Sequence, residues 1–345
     1  MSQNETSLSD LGKYGLTEHV NQLVKTLQPT TIMGNSDDCS VLNHSDLQLL
    51  SNSLMLEGIH FDLIYTPLQH LGFKAVVNAI TDVIAMNGRA TQISVTLGLS
   101  KKMNLKRTDL LMSGILAACE EYQLDLTGFR PTSSLTGLTI GIAVIGTATE
   151  NSVVYRSGAK PTDIMYTTGD LGAALLGLHL LEREKRVLKD NNYNQPEFGD
   201  NEYVLRRQLK PQARIQTLEQ LEEIAVKPTS MVAIKEGLAT ASILLCQASN
   251  TGCRIYENKI PLNQKTLKAA SEIDFNPLIA ALNGGEDYEL LYTVSLQDYE
   301  KKQEALKSVG SVIGYITEAN KACRLITRAD QEIDLKAQGW GTKKK

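Results

Sequence analysis

At 345 residues, with 42% hydrophobic and 21% charged residues, the chain is too long for one ordinary core and too apolar to be disordered; two domains of about 150 residues each are expected. A formal net charge of -4 offers no global basic field to nucleic acid, and the basic runs Lys101-Lys102 and Lys343-Lys344-Lys345 read as solvated ends. The polar N-terminus lacks the apolar stretch of a signal peptide, and no run of about 18 apolar residues occurs, so a cytoplasmic chain without a membrane span is expected.

In chain order, 47–50 reads as an apolar strand followed by the polar run Ser51-Asn52-Ser53. Over 71–87, Val76, Ala79, Ile80, Val83 and Ile84 recur at helical spacing, and Gly88 supplies a stop. Residues 92–99 alternate apolar and polar as a strand does, an amphipathic helix covers about 108–122, and a long β segment covers 135–147. This order predicts one mixed α/β domain over 1–150. A second α/β domain, 151–345, opens with a strand at 163–168 and Gly169-Asp170-Leu171-Gly172 leading into an Ala/Leu-rich helix. The charged, Asn-rich stretch 185–203 has no periodicity and reads as an exposed connector. Helices near 214–225 and 235–249, a strand at 288–294, a helix at 297–307 and a strand at 311–316 complete the domain. The five cysteines (Cys39, Cys119, Cys246, Cys253, Cys323) are odd in number and scattered. Without a C-x-x-C pair they suggest neither a zinc ribbon nor a disulfide framework, and reduced, buried thiols are expected.

Four places carry chemistry. Gly34-Asn35-Ser36-Asp37-Asp38 sets two carboxylates side by side on a small turn. Adjacent acids repel unless a cation lies beside them, so a metal site and a solvated acidic turn are both open. Glu57-Gly58-Ile59-His60-Phe61 offers an acid and a histidine, although a histidine beside phenylalanine is more often a packed, hydrogen-bonded one. Asp82 interrupts an apolar helix, which is costly unless the carboxylate sits at a site edge with a cation. In Gly284-Gly285-Glu286-Asp287-Tyr288-Glu289-Leu290, two glycines permit close backbone approach to a ligand and the acids can orient it or a water. An ordinary hairpin turn before a strand is also open.

Together with Leu71-Gly72-Phe73-Lys74-Ala75, Thr81-Asp82 and Arg156-Ser157-Gly158-Ala159-Lys160-Pro161, these strings run in order along nearly the whole chain. They resemble the thiamine-monophosphate kinase family of the aminoimidazole ribonucleotide synthetase-like superfamily. The resemblance implies an α/β (α+β) fold of two domains. In it the N-terminal domain carries the ATP and metal site and joins a second copy in a dimeric β-barrel, and the C-terminal domain is α/β. It also implies a homodimer that uses ATP and several magnesium ions to convert thiamine monophosphate to thiamine diphosphate. By the same resemblance, Asp37, Asp38, Asp82 and Glu236 are remnants of the nucleotide and metal site. Glu57, His60, Glu286, Asp287 and Tyr288 then lie on the substrate side, and Arg156 and Lys160 are cations able to meet phosphates.

The chain departs from that pattern at several acids. Ser36 replaces the second glycine of a Gly-x-Gly-Asp-Asp loop, and Ser53 stands where the family has aspartate. Arg130 replaces the aspartate of a Gly-Gly-Asp-Thr-Thr loop, matched here by Gly128-Phe129-Arg130-Pro131-Thr132. Ala233, Lys235 and Glu236 replace Asp, Ser and Asp of an Asp-x-Ser-Asp-Gly-Leu motif. A unit charge at about 4 Å contributes on the order of 4 kcal/mol at an effective dielectric near 20, and twice that against a divalent ion. Arg130 and Lys235 therefore oppose magnesium, and they are expected to pair with Asp37, Asp38 or Asp82; the plainer alternative is that both point to solvent. The same substitutions argue against ATP and magnesium binding of the family kind. The expectation is a kinase-like protein with impaired or lost catalysis. The alternative is a non-catalytic paralogue that binds a nucleotide or phosphorylated ligand as a sensor or partner subunit.

Overall fold

The computed structural model describes residues 19–20, 22–33, 41–42, 45–190 and 199–337; Asp37, Asp38 and Cys39 lie outside this set. The chain divides into two compact units, Met1–Val83 with Gly88–Asn151 and Ile84–Asn87 with Ser152–Lys345.

The first unit holds a short antiparallel pair, β1 (Thr31–Met33) and β2 (Val41–Leu42), and a four-stranded sheet. The sheet comprises β3 (Leu47–Leu56), β4 (Arg89–Leu99), β5 (Asp125–Ser133) and β6 (Thr139–Ala148) in the order β3-β6-β4-β5. Helices α1 (Leu68–Ile84) and α2 (Leu105–Tyr122) cover one of its faces. β3 pairs with β6 from Leu47 opposite Ala148 to Leu56 opposite Thr139, so the polar run Ser51-Asn52-Ser53 is strand and not a break. The 128–132 segment, matched to a loop by resemblance, also lies in a strand, β5. Pro131 is tolerated there because β5 is the sheet edge, where a missing N–H breaks no central ladder.

Register sets the faces. Ser53, Ile142, Val95 and Phe129 share one row across the sheet, and the last three are buried on the helix-covered side. The next row, Leu54, Gly141, Thr96 and Arg130, points the other way. On that open face Leu50 is 70% exposed and Leu54 55%. α1 and α2 cross at Gly114, where a Cβ would lie 1.9 Å from the Gln69 carbonyl oxygen; only glycine permits this approach.

The second unit is built on a seven-stranded sheet of order β13-β12-β9-β11-β7-β10-β8. Its strands are β7 (Ile164–Thr167), β8 (Ser230–Ile234), β9 (Thr251–Tyr256), β10 (Glu289–Val294), β11 (Ser311–Glu318), β12 (Cys323–Ile326) and β13 (Glu332–Asp334). Around it are α3 (Ala173–Asp190), α4 (Glu202–Leu209), α5 (Ile215–Glu223), α6 (Leu238–Ser249), α7 (Gln264–Glu272), α8 (Pro277–Asn283) and α9 (Leu296–Leu306). Val232, Ile234, Leu238, Leu245, Leu291 and Ile316 lie in its main core. The connector expected from 185 onward does not begin there. α3 runs through Asp190, with Lys185 paired to Glu182 one turn back at 3.4 Å and Glu184 buried. No helix among the described residues is long and apolar enough to cross a membrane.

Candidate functional site

In the first unit, two clusters collect the residues singled out in the sequence. Asp82 projects from α1 toward the covered face of the sheet and accepts a hydrogen bond from the Ser51 hydroxyl at 2.9 Å. Ser53, two residues along β3, shares the Ser51 face because side chains alternate along a strand. Arg130 stands on the opposite, open face, so the expected pairing of Arg130 with Asp82 is not made; strand parity puts the sheet between them.

The second cluster lies where β3 ends. Glu57 is fixed at both carboxylate oxygens, by Lys102 Nζ at 3.0 Å and by the Leu138 amide at 2.7 Å. The His60 Nδ1 accepts from the Leu56 amide at 3.0 Å, which leaves Nε2 to carry the proton of the neutral ring. His60 and Gly58 are exposed, so the ring's free edge faces solvent.

In the second unit, the Gly284-to-Leu290 string lies against the Ala233–Gly237 segment. The Glu286 amide donates to the Lys235 carbonyl at 2.8 Å, and the Tyr288 amide donates to the Ile234 carbonyl at 3.1 Å. The turn is strained: Gly285, Glu286 and Tyr288 have φ of 85°, 58° and 54°. A non-glycine residue in this region costs of order 1–3 kcal/mol and persists where its surroundings enforce it, often at functional sites. Glu286 accepts from the Gln208 side chain at 2.9 Å, Glu236 is exposed, and the Tyr288 side chain is buried.

Asp287 points inward. It is fully buried and accepts from the Gly172 amide at 2.8 Å and the Ala174 amide at 3.4 Å, thereby capping the N-terminus of α3. Burial pushes its carboxyl up to about 7, against the opposing pull of Arg207 and of the Gly172 amide. Two residues on, Glu289 is also fully buried. It accepts from Thr168 Oγ1 at 2.5 Å, Arg207 Nη2 at 2.8 Å and Arg214 Nε at 2.6 Å. Arg207 additionally donates to the Asp170 carbonyl at 3.0 Å, and Tyr203 donates to the Asp170 carboxylate. Of this network the sequence flagged Asp287 and, within the same string, Glu289, but neither arginine. Arg207 and Arg214 sit on or beside helices, where basic residues ordinarily read as solvated.

Arg156 and Lys160 are both exposed, on a rigid turn. Asp163 accepts from the Lys160 amide at 3.0 Å and the Thr229 hydroxyl at 2.6 Å, while Ser249 bridges the Arg156 carbonyl and the Ala159 amide. Two cations held on a fixed backbone suit phosphate recognition.

Magnesium requires near-octahedral oxygen donors, usually one or two carboxylates completed by phosphate and water. Among the described residues no trio of carboxylates or histidines comes within ligating distance; the one trio of ligating side chains is Cys246, Cys253 and Cys323. Asp82 with a serine hydroxyl does not make a magnesium site by itself.

Residues 36–148 match the family described as AIR synthase related protein, N-terminal domain. Thiamine-monophosphate kinase of Bacillus subtilis (strain 168) is 29% identical over 330 residues, covering 92% of this chain and 97% of that protein. The thiamine-monophosphate kinase of Buchnera aphidicola subsp. Schizaphis graminum (strain Sg) is 32% identical over 316 residues, covering 90% and 92%. Among solved structures, AaThiL complexed with AMPPCP and TMP matches with a TM-score of 0.70 at 24% identity, over 96% of this chain and 97% of that one. This last likeness is one of fold.

Proposed function

The chain belongs to the thiamine-monophosphate kinase family, and on that premise we propose a thiamine-monophosphate kinase-like protein in which magnesium-dependent transfer of phosphoryl from ATP to thiamine monophosphate is impaired or lost. The observation that carries the reading is the neighbourhood of Asp82. Its carboxylate is met by the Ser51 hydroxyl at 2.9 Å, and the next side chain on that strand face is the hydroxyl of Ser53. A hydroxyl adds no negative charge, and phosphoryl transfer depends on positioning and charge neutralisation more than on covalent chemistry. The proposal is for a cytoplasmic homodimer, with the second copy seated on the open sheet face that carries Leu50, Leu54 and Arg130.

A second reading, a non-catalytic paralogue that holds a phosphorylated ligand, is favoured by Arg156 and Lys160, which stand exposed on a braced turn whatever becomes of the metal. In both readings these two cations contact phosphate, and Glu57 and His60 line the substrate side.

The deciding experiment incubates the folded full chain with ATP, magnesium and thiamine monophosphate and separates products by chromatography. Thiamine diphosphate formed at a rate comparable with the Bacillus subtilis relative assayed alongside would overturn the proposal. Slow or absent product supports it. Calorimetric binding of thiamine monophosphate without magnesium, lost in Arg156→Ala/Lys160→Ala, selects the second reading.

A further inference from the structure

The cysteines are scattered along the sequence, but three of them converge. The sulfurs of Cys246, Cys253 and Cys323 all lie within 4.8 Å of one another. Cys246 comes from α6, Cys253 from β9, and Cys323 opens β12 directly opposite Cys253 in the parallel register. We propose that these three side chains form a three-thiolate site for a soft metal ion, taking Cu(I) in preference to Zn(II).

Metal–sulfur bonds of about 2.3 Å imply sulfurs about 4 Å apart around a shared ion, so the trio needs only small side-chain adjustments to close on one. Thiolates select soft ions. No histidine, carboxylate or fourth cysteine joins the set among the described residues, whereas a structural zinc site takes four protein ligands. Three sulfurs alone suit a trigonal monovalent ion. Cys246 and Cys253 are fully buried and Cys323 is half-buried, which gives a dry site with one side open for entry.

The surroundings hold the ligands in place. Arg254 Nη1 donates to the carbonyls of Cys253 at 3.1 Å and Lys321 at 2.9 Å, and the Cys253 amide donates to the Ala322 carbonyl at 3.1 Å. These bonds fix the turn that delivers Cys323, and they bring a guanidinium beside the negative sulfurs. Bonds of this outer kind orient ligands and tune the ion. An ion on the three sulfurs ties α6, β9 and β12 together and therefore stabilises the second unit.

The test uses the full chain, reduced, stripped with a chelator and kept anaerobic, titrated with Cu(I) buffered by bicinchoninate. One equivalent is expected to bind with thiolate-to-metal charge-transfer absorption and a rise in melting temperature. Alkylation read by peptide mass should then show the half-buried Cys323 reacting more slowly with the ion bound than without it, with Cys39 and Cys119 reacting as in the metal-free protein. This pattern needs no variant and stands even where a core substitution fails to fold. Cys323→Ser should weaken binding by at least about 100-fold, since outer partners alone are worth up to that much, while Cys39→Ser should leave it unchanged. No uptake, protection of other cysteines, or tighter binding of Zn(II) than of Cu(I) would each overturn the proposal. None of these readouts involves ATP or thiamine monophosphate, so they stand apart from the kinase assay.

Discussion

Replacing Glu289 by glutamine tests whether the second unit depends on a desolvated charge network. The carboxylate is fully buried and receives Arg207 Nη2 at 2.8 Å, Arg214 Nε at 2.6 Å and Thr168 Oγ1 at 2.5 Å. Arg207 is only 7% exposed, so its charge has little access to water. In Glu289→Gln the guanidiniums face one neutral acceptor and an amide NH2 that points donors at donors. A unit pair about 3 Å apart has a gross attraction of about 6 kcal/mol at an effective dielectric near 20. Breaking a buried pair from one side costs about 3–5 kcal/mol, because the remaining charge stays desolvated. Arg207 keeps its bonds to the Asp170 carbonyl at 3.0 Å and the Asp287 carbonyl at 3.3 Å, which argues for the lower half of that range. Urea unfolding followed by circular dichroism should show a lower midpoint with an unchanged slope, and melting should fall by roughly 6–16 °C. A loss below about 1 kcal/mol, the scale of a surface ion pair, would refute the claim that the network is desolvated.

The remaining predictions concern pH, packing and assembly. Asp287 has a folded value pushed by burial from 3.8 to about 7, so the folded state holds a proton the unfolded state has released between those values. Its contribution to stability is therefore greatest at low pH and is lost as pH rises through that window. Between about pH 5 and about pH 8, wild type should lose roughly 2–3 kcal/mol more than Asp287→Asn, and parallel stability curves would contradict the assignment. Gly169 has a φ of 53°, and a Cβ there would lie 2.3 Å from Glu289 Oε1. Gly169→Ala should cost about 2–4 kcal/mol by equilibrium unfolding, and a change under 1 kcal/mol would mean that the Arg214–Glu289 pair moves aside freely. Leu50→Asp/Leu54→Asp should halve the mass measured by light scattering, whereas an unchanged dimer would place the interface elsewhere.

Helix α1 was legible because Val76, Ala79, Ile80, Val83 and Ile84 repeat at one spacing over about two and a half turns, and no competing period fits them. β5 was not legible. Gly128 and Pro131 carry loop chemistry, and only the edge position of the strand lets them stay in a ladder. β8 and β9 are buried strands of five and six residues, too short for periodicity to separate from the helices beside them. The candidate site was read with the same asymmetry. Asp82 stood out because a carboxylate in an apolar helix is locally anomalous, and the structure gives it a hydroxyl partner. Arg207 and Arg214 raise no local anomaly, and only the meeting of α4, β10 and the start of α5 brings them to Glu289. The cysteine trio was hidden for the same reason, its members standing seven and seventy residues apart in a pattern that no ligand spacing rule describes.

The faces of the first sheet separate substitutions that look equivalent in the sequence. Ser53 and Arg130 are both read, from resemblance alone, as standing in for an acid, yet Ser53 shares the covered face with Ser51 and Asp82, and Arg130 shares the open face with Leu54 and Thr96. A carboxylate restored at 53 would join the face that already holds one, and the two would repel unless a cation came between them. One restored at 130 would meet solvent or a second copy of the chain. Ser53→Asp should therefore lower the melting temperature in chelator and recover it in millimolar magnesium, with calcium recovering it less. Arg130→Asp should show no magnesium-dependent shift beyond that of wild type. At an effective dielectric near 20, two like charges about 5 Å apart repel by about 3 kcal/mol, so the chelator effect should amount to several degrees. A magnesium response in Arg130→Asp and none in Ser53→Asp would invert the assignment of faces and return Arg130 to the metal side.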